Sequence, residues 1–397
     1  MRKFDSIIIR WIIATSLSGL GDSFTKIAMS IMTYNITSSG KYAAIVFLAG
    51  VIPSVIFGPF IGVRVDNSNK RDILIKSNLV SIIILLFLII IPGNAWLYFI
   101  GNFILATISL FFRTSSIVIL PELVNNKDNL IKINSIYSLT NKLGRAIGMV
   151  IAGFVSEIIL FRYLFVFDLL TFLICIFIII SIHELKYIYD SSKSVNAKES
   201  YITKLQCGIK IYKDNRILAT SLFFFGLVTM CDGVIFPQLV VYVKEYLNNG
   251  GQLLGQIQSI FLIGTIVGQA IIYYTPTKIN EKKGLKIGVL FSIIFVILLG
   301  VINSVFLTFV LLFLYGAFGA LIMISWITLS QKEIDIETRG RGTAFADAIV
   351  KIFNLIGIGF SIIIYDYITI AQQFTIIGSI SLILFCILLS LYKKFRL

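Results

Sequence analysis

Twelve apolar stretches, each long enough to cross a lipid bilayer, leave this chain few folds to choose from. They lie near residues 7–34, 43–63, 73–92, 95–118, 136–160, 162–183, 217–243, 253–275, 285–302, 305–330, 342–366 and 371–392. A spanning α-helix needs roughly 20 predominantly apolar residues. Composition agrees: of 397 residues 57% are hydrophobic and 14% charged, where a soluble domain carries roughly 25% charged residues. The expected class is an all-α integral membrane protein of twelve transmembrane helices. The longest polar interruption, His183 to Arg216, divides them six and six. The expected organisation is therefore an N-terminal six-helix bundle over 1–183, a linker over 184–216 and a C-terminal bundle over 217–397. Two such pseudo-symmetric bundles suit a substrate site near the membrane midplane. Within the linker, Ser200 to Tyr212 reads either as a short amphipathic surface helix or as plain linker.

The net charge of +14 follows topology rather than a polyanionic partner. All but seven of the 34 Lys and Arg fall at the N-terminus, in alternate loops or in the C-terminal tail. The other set of loops holds Lys41, Arg162 and Lys244. Such asymmetry places the basic loops and both termini in the cytoplasm. No nucleic-acid partner is expected. The first apolar stretch is too long for a cleavable signal core. Cys175, Cys207, Cys231 and Cys386 show no paired spacing, so they read as ordinary thiols, with neither disulfide nor metal role. His183, the single histidine, reads as a solvated residue at a helix end. Trp11, Trp96 and Tyr98, near span ends, read as interfacial anchors.

Between the second and third stretches the chain reads GPFIGVRVDNSNKRDIL, Gly58 to Leu74. Gly62 allows close helix packing. Asp66 can face the positive end of a neighbouring helix, and Lys70 and Arg71 can pair with acids or lipid headgroups. These residues resemble the inter-helix signature of the major facilitator superfamily. The likeness continues in Arg10 to Ser39, Leu120 to Phe154, FDLLTF (Phe167 to Phe172), Pro237 through Tyr242, Gly251 to Gly268 and Ser330 to Phe345. Those stretches are similar to the macrolide-efflux branch of drug:proton antiporters. Arg145 stands where such antiporters commonly have proline, with Gly144, Gly148 and Gly153 around it. Arg64 and Asn67 also depart from the signature, and the matching loop PTKINEKKGL keeps only its positive charge. The resemblance implies alternating access between two bundles, with Gly62, Asp66, Lys70, Arg71 and Asp347 latching one of the states.

The charges inside the spans are the candidate site. At 1.5 Å per residue, Asp22 lies roughly 18 Å along the first helix from Arg10, near the middle of a ~30 Å hydrocarbon layer. Lys26 follows one turn later on the same face. Intramembrane charges are functional candidates by default. Asp22 and Lys26 read as proton-coupling or substrate-contacting residues, or alternatively as an ion pair that fixes helix packing. Asp232 in the seventh span reads as a counterpart of Asp22. Arg145 reads as a partner for Asp22, a holder of an anionic group, or a snorkelling residue; Arg113 reads as snorkelling too. Asp347 and Lys351 repeat the i, i+4 spacing and read as a structural pair or a partner of the Asp66 latch.

No GxxxxGK[ST] loop is present, which argues against direct ATP drive, and neither nucleophile motif nor cofactor motif appears. No enzyme activity and no cofactor are expected. The favoured function is secondary active export of amphipathic drug-like compounds, macrolides by resemblance, in exchange for protons. The partners are that small molecule, protons and membrane lipids, and the chain is expected to work as a monomer in a bacterial cytoplasmic membrane. Export of an endogenous siderophore, peptide or lipid is the first alternative. A non-transporting membrane sensor on the same scaffold is the second.

Overall fold

The computed structural model describes residues 2–66, 68–91, 94–123, 130–160, 162–182, 201–274, 280–335 and 338–394. His183 lies outside them, and of Gly62 and Asp66 only the helical backbone is described. The described chain is helical throughout. In order come α1 (Arg2–Thr37), α2 (Gly40–Ile56), α3 (Gly58–Asp66), α4 (Lys70–Ile90), α5 (Ala95–Glu122), α6 (Leu130–Ile158) and α7 (Arg162–Ser181). Then follow α8 (Tyr201–Asp214), α9 (Arg216–Val241) with a π-helical turn (Tyr242–Tyr246), α10 (Gly251–Tyr274), α11 (Glu281–Val301), α12 (Val305–Glu333), α13 (Arg339–Ile364) and α14 (Ile370–Lys394).

Ten of these helices are long and apolar enough to cross a membrane by length and hydropathy alone. The other two spans are α2 with α3, and α6. The stretch 43–63, expected as one helix, breaks at Phe57. Pro53 and Pro59 each lack the N–H that an interior turn needs, and Gly58 between them is a weak helix former. The Phe57 N–H still bonds Pro53 O at 2.8 Å, so the chain bends rather than unravels. The sixth helix of the series, α6, departs from simple hydropathy because it carries Lys132, Lys142, Arg145 and Glu157. Helices α4, α9 and α11 each start on an asparagine: the side chains of Asn69, Asn215 and Asn280 accept the N–H groups two and three residues on, at 3.0–3.3 Å. Such caps satisfy donors a helix start would leave open.

The chain folds as two compact units, Met1–Ala197 with Gly250–Ser259, and Lys198–Asn249 with Ile260–Leu397. In the first, α1 packs on α6 and α7, α4 on α5 and α7, and α2 on α5. A side chain at Gly144 would come within 2.8 Å of Ser16 O, and one at Gly148 within 2.5 Å of Leu20 O. Small residues let membrane helices approach this closely. The first turns of α10 belong to the same unit: Ser259 Oγ donates to Ala146 O at 2.7 Å, and Gln252 N–H to Glu157 Oε1 at 2.9 Å. The second unit repeats the pattern, with α9 on α13 and α14 and α11 on α12 and α14. There Gly233 faces Asn354 O and Gly357 faces Met230 O. Helix α8 docks through Gly208 against Phe345 of α13. Its Tyr212 stacks on Trp326 at 6.2 Å and leans on Phe345 at 5.4 Å. Burial pushes the Tyr212 phenol above its usual range.

Two of the three aromatics expected as interfacial anchors turn inward. Trp11 and Tyr98 are fully buried, whereas Trp96 is exposed. Trp11 belongs to a core cluster with Ile7, Ala14, Leu74, Ile119 and Cys175, and Tyr98 packs on Phe165 at 6.3 Å. Sequence position near a span end does not say which way a helix turns its ring, and here both rings turn into the bundle.

Candidate functional site

Four charged side chains converge in the first unit. Asp22 and Lys26 come from α1, Arg145 from α6, and Asp168 from α7. Asp22 is half-buried and Lys26 exposed, yet Asp22 feels Lys26 and Arg145, and Lys26 feels Arg145, Asp22, Arg113 and Asp168. Asp22 and Lys26 form no ion pair within 4.0 Å among the described residues, so the expected structural pair is left open. Arg145 crosses α1 at Gly19, where its Nε would lie 3.4 Å from an added methyl. The same Nε is buried and has no hydrogen-bond partner among the described residues. Its backbone carbonyl takes the Ser23 hydroxyl at 3.1 Å, which fixes α6 against α1 at this level. Arg113 is exposed on α5.

Asp168 was not singled out in the sequence, and it is the most enclosed of the four at 1% exposure. The Thr25 hydroxyl of α1 donates to one of its oxygens, and the Thr171 hydroxyl lies 3.3 Å from the other. Gly21 makes room: any side chain there would overlap Thr171 Oγ1 and Asp168 Oδ1. A usable signal was present. An acid inside a 20-residue helix of mean hydropathy 2.8 invites the argument applied to Asp22. With all four ionised the group is neutral, two acids against two bases. Removing or adding one proton leaves an uncompensated charge in a region where an uncompensated charge is costly.

In the second unit Asp232 is half-buried on α9 and accepts the Tyr315 hydroxyl of α12 at 2.5 Å. Beside it, Thr229 Oγ1 donates to Val350 O at 3.2 Å, and Asn354 Nδ2 donates to Thr229 O at 3.0 Å. Asp232 is therefore tied to the fourth helix of its unit, whereas Asp22 faces the fifth and sixth of its own. Asp347 is exposed and lies 3.8 Å from Lys351, as the i, i+4 spacing suggested. Of the loop residues, Lys70 is 5% exposed. Arg71 Nη2 donates to Ile180 O at 3.2 Å, so it caps the end of α7, whose last carbonyls lack helical partners. The side chain of Asp66 lies outside the described residues.

The sequence profile of the Major Facilitator Superfamily matches residues 11–231 and 221–395. The chain is 22% identical over 320 residues to the multidrug resistance protein MdtG of Escherichia coli O6:K15:H31 (strain 536 / UPEC), covering 80% of this chain and 76% of that one. The fold is similar to the crystal structure of the nucleoside transporter NupG, with TM-score 0.77 at 14% identity, over 98% of this chain and 99% of that one. It is also similar to a POT family transporter in complex with 5-aminolevulinic acid, with TM-score 0.71 at 12% identity, over 98% and 96%.

Proposed function

Because the chain belongs to the major facilitator superfamily, we propose that it is a secondary active exporter that moves amphipathic, macrolide-type compounds out of a bacterial cell in exchange for protons. It works as a monomer by alternating access, with both termini in the cytoplasm. The observation that carries the reading is Asp22: a carboxyl group near the middle of a spanning helix, facing Lys26 and Arg145 without being locked to either. A locked pair would hold its charge state. A loose one can take a proton from one side and give it to the other as the cavity alternates. The likeness to a multidrug resistance protein supports a drug-like cargo.

Expressed in a pump-deficient bacterium, the wild type is expected to lower macrolide accumulation and to lose that effect with a protonophore. Asp22→Asn keeps the size and polarity of the side chain and removes its titration. It should abolish energised efflux while the protein still elutes as a folded species. Normal pumping by that variant would remove the coupling role. A second reading rests on the buried, unpartnered Nε of Arg145: export of an endogenous molecule with an anionic group. Under it, Arg145→Gln would abolish transport of that molecule and leave neutral macrolides untouched.

A further inference from the structure

Outside the charged group on α1, α6 and α7, the first unit carries a second polar feature with an apolar continuation. A recess of about 350 Å³ opens where the α3–α4 connection meets α5. Arg64, at the end of α3, and Lys76, in the second turn of α4, both line it, and both are exposed. Asp72 lines it too, in the first turn of α4 beside the Asn69 cap, so the cations outnumber the acid. Ile73, Val80, Ile108 and Phe111 add apolar surface to it, beside Ser68, Asn69 and Ser77. A soluble anion needs no such apolar lining.

The recess also has an exit. From Lys76 the positions Val80, Ile83, Phe87 and Ile90 follow at steps of four and three residues, which keeps them on one face of α4. All four are exposed, Ile83 at 61% and Ile90 at 73%. Fourteen residues of helix run about 21 Å, longer than the ~15 Å hydrocarbon depth of one leaflet. A cationic pocket at the polar end of an unbroken apolar stripe matches one chemistry: a phosphate joined to a hydrocarbon chain.

We propose that this recess binds a membrane phospholipid, with its phosphate held between Arg64 and Lys76 and one acyl chain lying along Val80, Ile83, Phe87 and Ile90. The bound lipid bridges the α3–α4 connection and α5, both of which line the recess. The proposal does not depend on what the protein transports.

Detergent-purified protein stripped of native lipid would be titrated with dioleoyl phosphatidylglycerol and read by native mass spectrometry. The wild type is expected to retain one lipid. Arg64→Gln/Lys76→Gln should weaken retention roughly tenfold or more, the scale expected when two cations near a membrane surface are lost. Ile83→Ser/Phe87→Ser should weaken it as well, and millimolar inorganic phosphate should not displace the lipid. Lys282→Gln/Lys283→Gln, which removes the same charge elsewhere, should retain lipid like the wild type. Thermal melting of each variant checks folding, and Lys76→Gln alone carries the test should the double variant not fold. Undiminished retention by the cation variants would overturn the site. So would displacement by inorganic phosphate, or indifference to the stripe, since either would make it an anion pocket and not a lipid site.

Discussion

Asp168 and Asp22 sit within Coulombic reach of each other but are held very differently. Asp168 is sealed and receives the Thr25 hydroxyl, whereas Asp22 has charges around it and no hydrogen-bond or ion-pair partner among the described residues. The two should therefore respond differently to substitution. Asp168→Leu would strand the Thr25 hydroxyl without its acceptor, costing about 1–3 kcal/mol; Asp168→Asn keeps an acceptor there. A melting curve in detergent should drop by several degrees for the leucine variant and much less for the asparagine. Equal drops would mean that the charge, and not the hydrogen bond, holds α7 to α1. Asp22 was legible in the sequence because an acid amid apolar residues stands out. Asp168 was equally visible by that criterion, but its enclosure and its threonine donors come from α1 and α7 meeting, which no local pattern announces. Trp11 and Tyr98 make the same point from the other side, since their burial depends on helix rotation.

Helix crossings depend on where backbones touch. At the α9–α13 crossing a methyl on Gly357 would overlap the Met230 carbonyl, whereas one on Gly359 would meet open space. Gly357→Ala should cost on the order of 1–3 kcal/mol through overpacking. Gly359→Ala should be neutral or gain up to about 1 kcal/mol, as alanine favours helix over glycine. Thermal melting of the two variants side by side checks the contrast, and equal behaviour would show that the crossing is looser than drawn. Both glycines look alike in the sequence, two residues apart in one apolar helix. Only the partner helix distinguishes them. The break at Phe57 is the opposite case, since Pro53, Gly58 and Pro59 state it locally, even though the apolar run around them reads as a single span.

For the whole molecule, the distribution of Lys and Arg makes a prediction that does not need the site. Cys207, partly buried in α8, belongs to the basic connection between the sixth and seventh spans. With both termini cytoplasmic, a membrane-impermeant maleimide should label Cys207 in inside-out vesicles and not in intact cells, with Cys207→Ser as the control for the other cysteines. Labelling in intact cells would reverse the orientation, and with it the direction of transport assigned to the protein.

Twelve spans, their division around a polar connection and the presence of charge within the apolar stretches were determined by the sequence itself. Each follows from the cost of placing polar atoms in hydrocarbon, which acts residue by residue along the chain. Only the tertiary structure decided which charges share a site: it brought Asp168 to Asp22, turned Asp232 toward Tyr315, and gave the Arg71 guanidinium to Ile180 O. Those outcomes depend on the rotation and close approach of whole helices, set by glycine contacts between segments more than a hundred residues apart, and hydropathy contains no term for them.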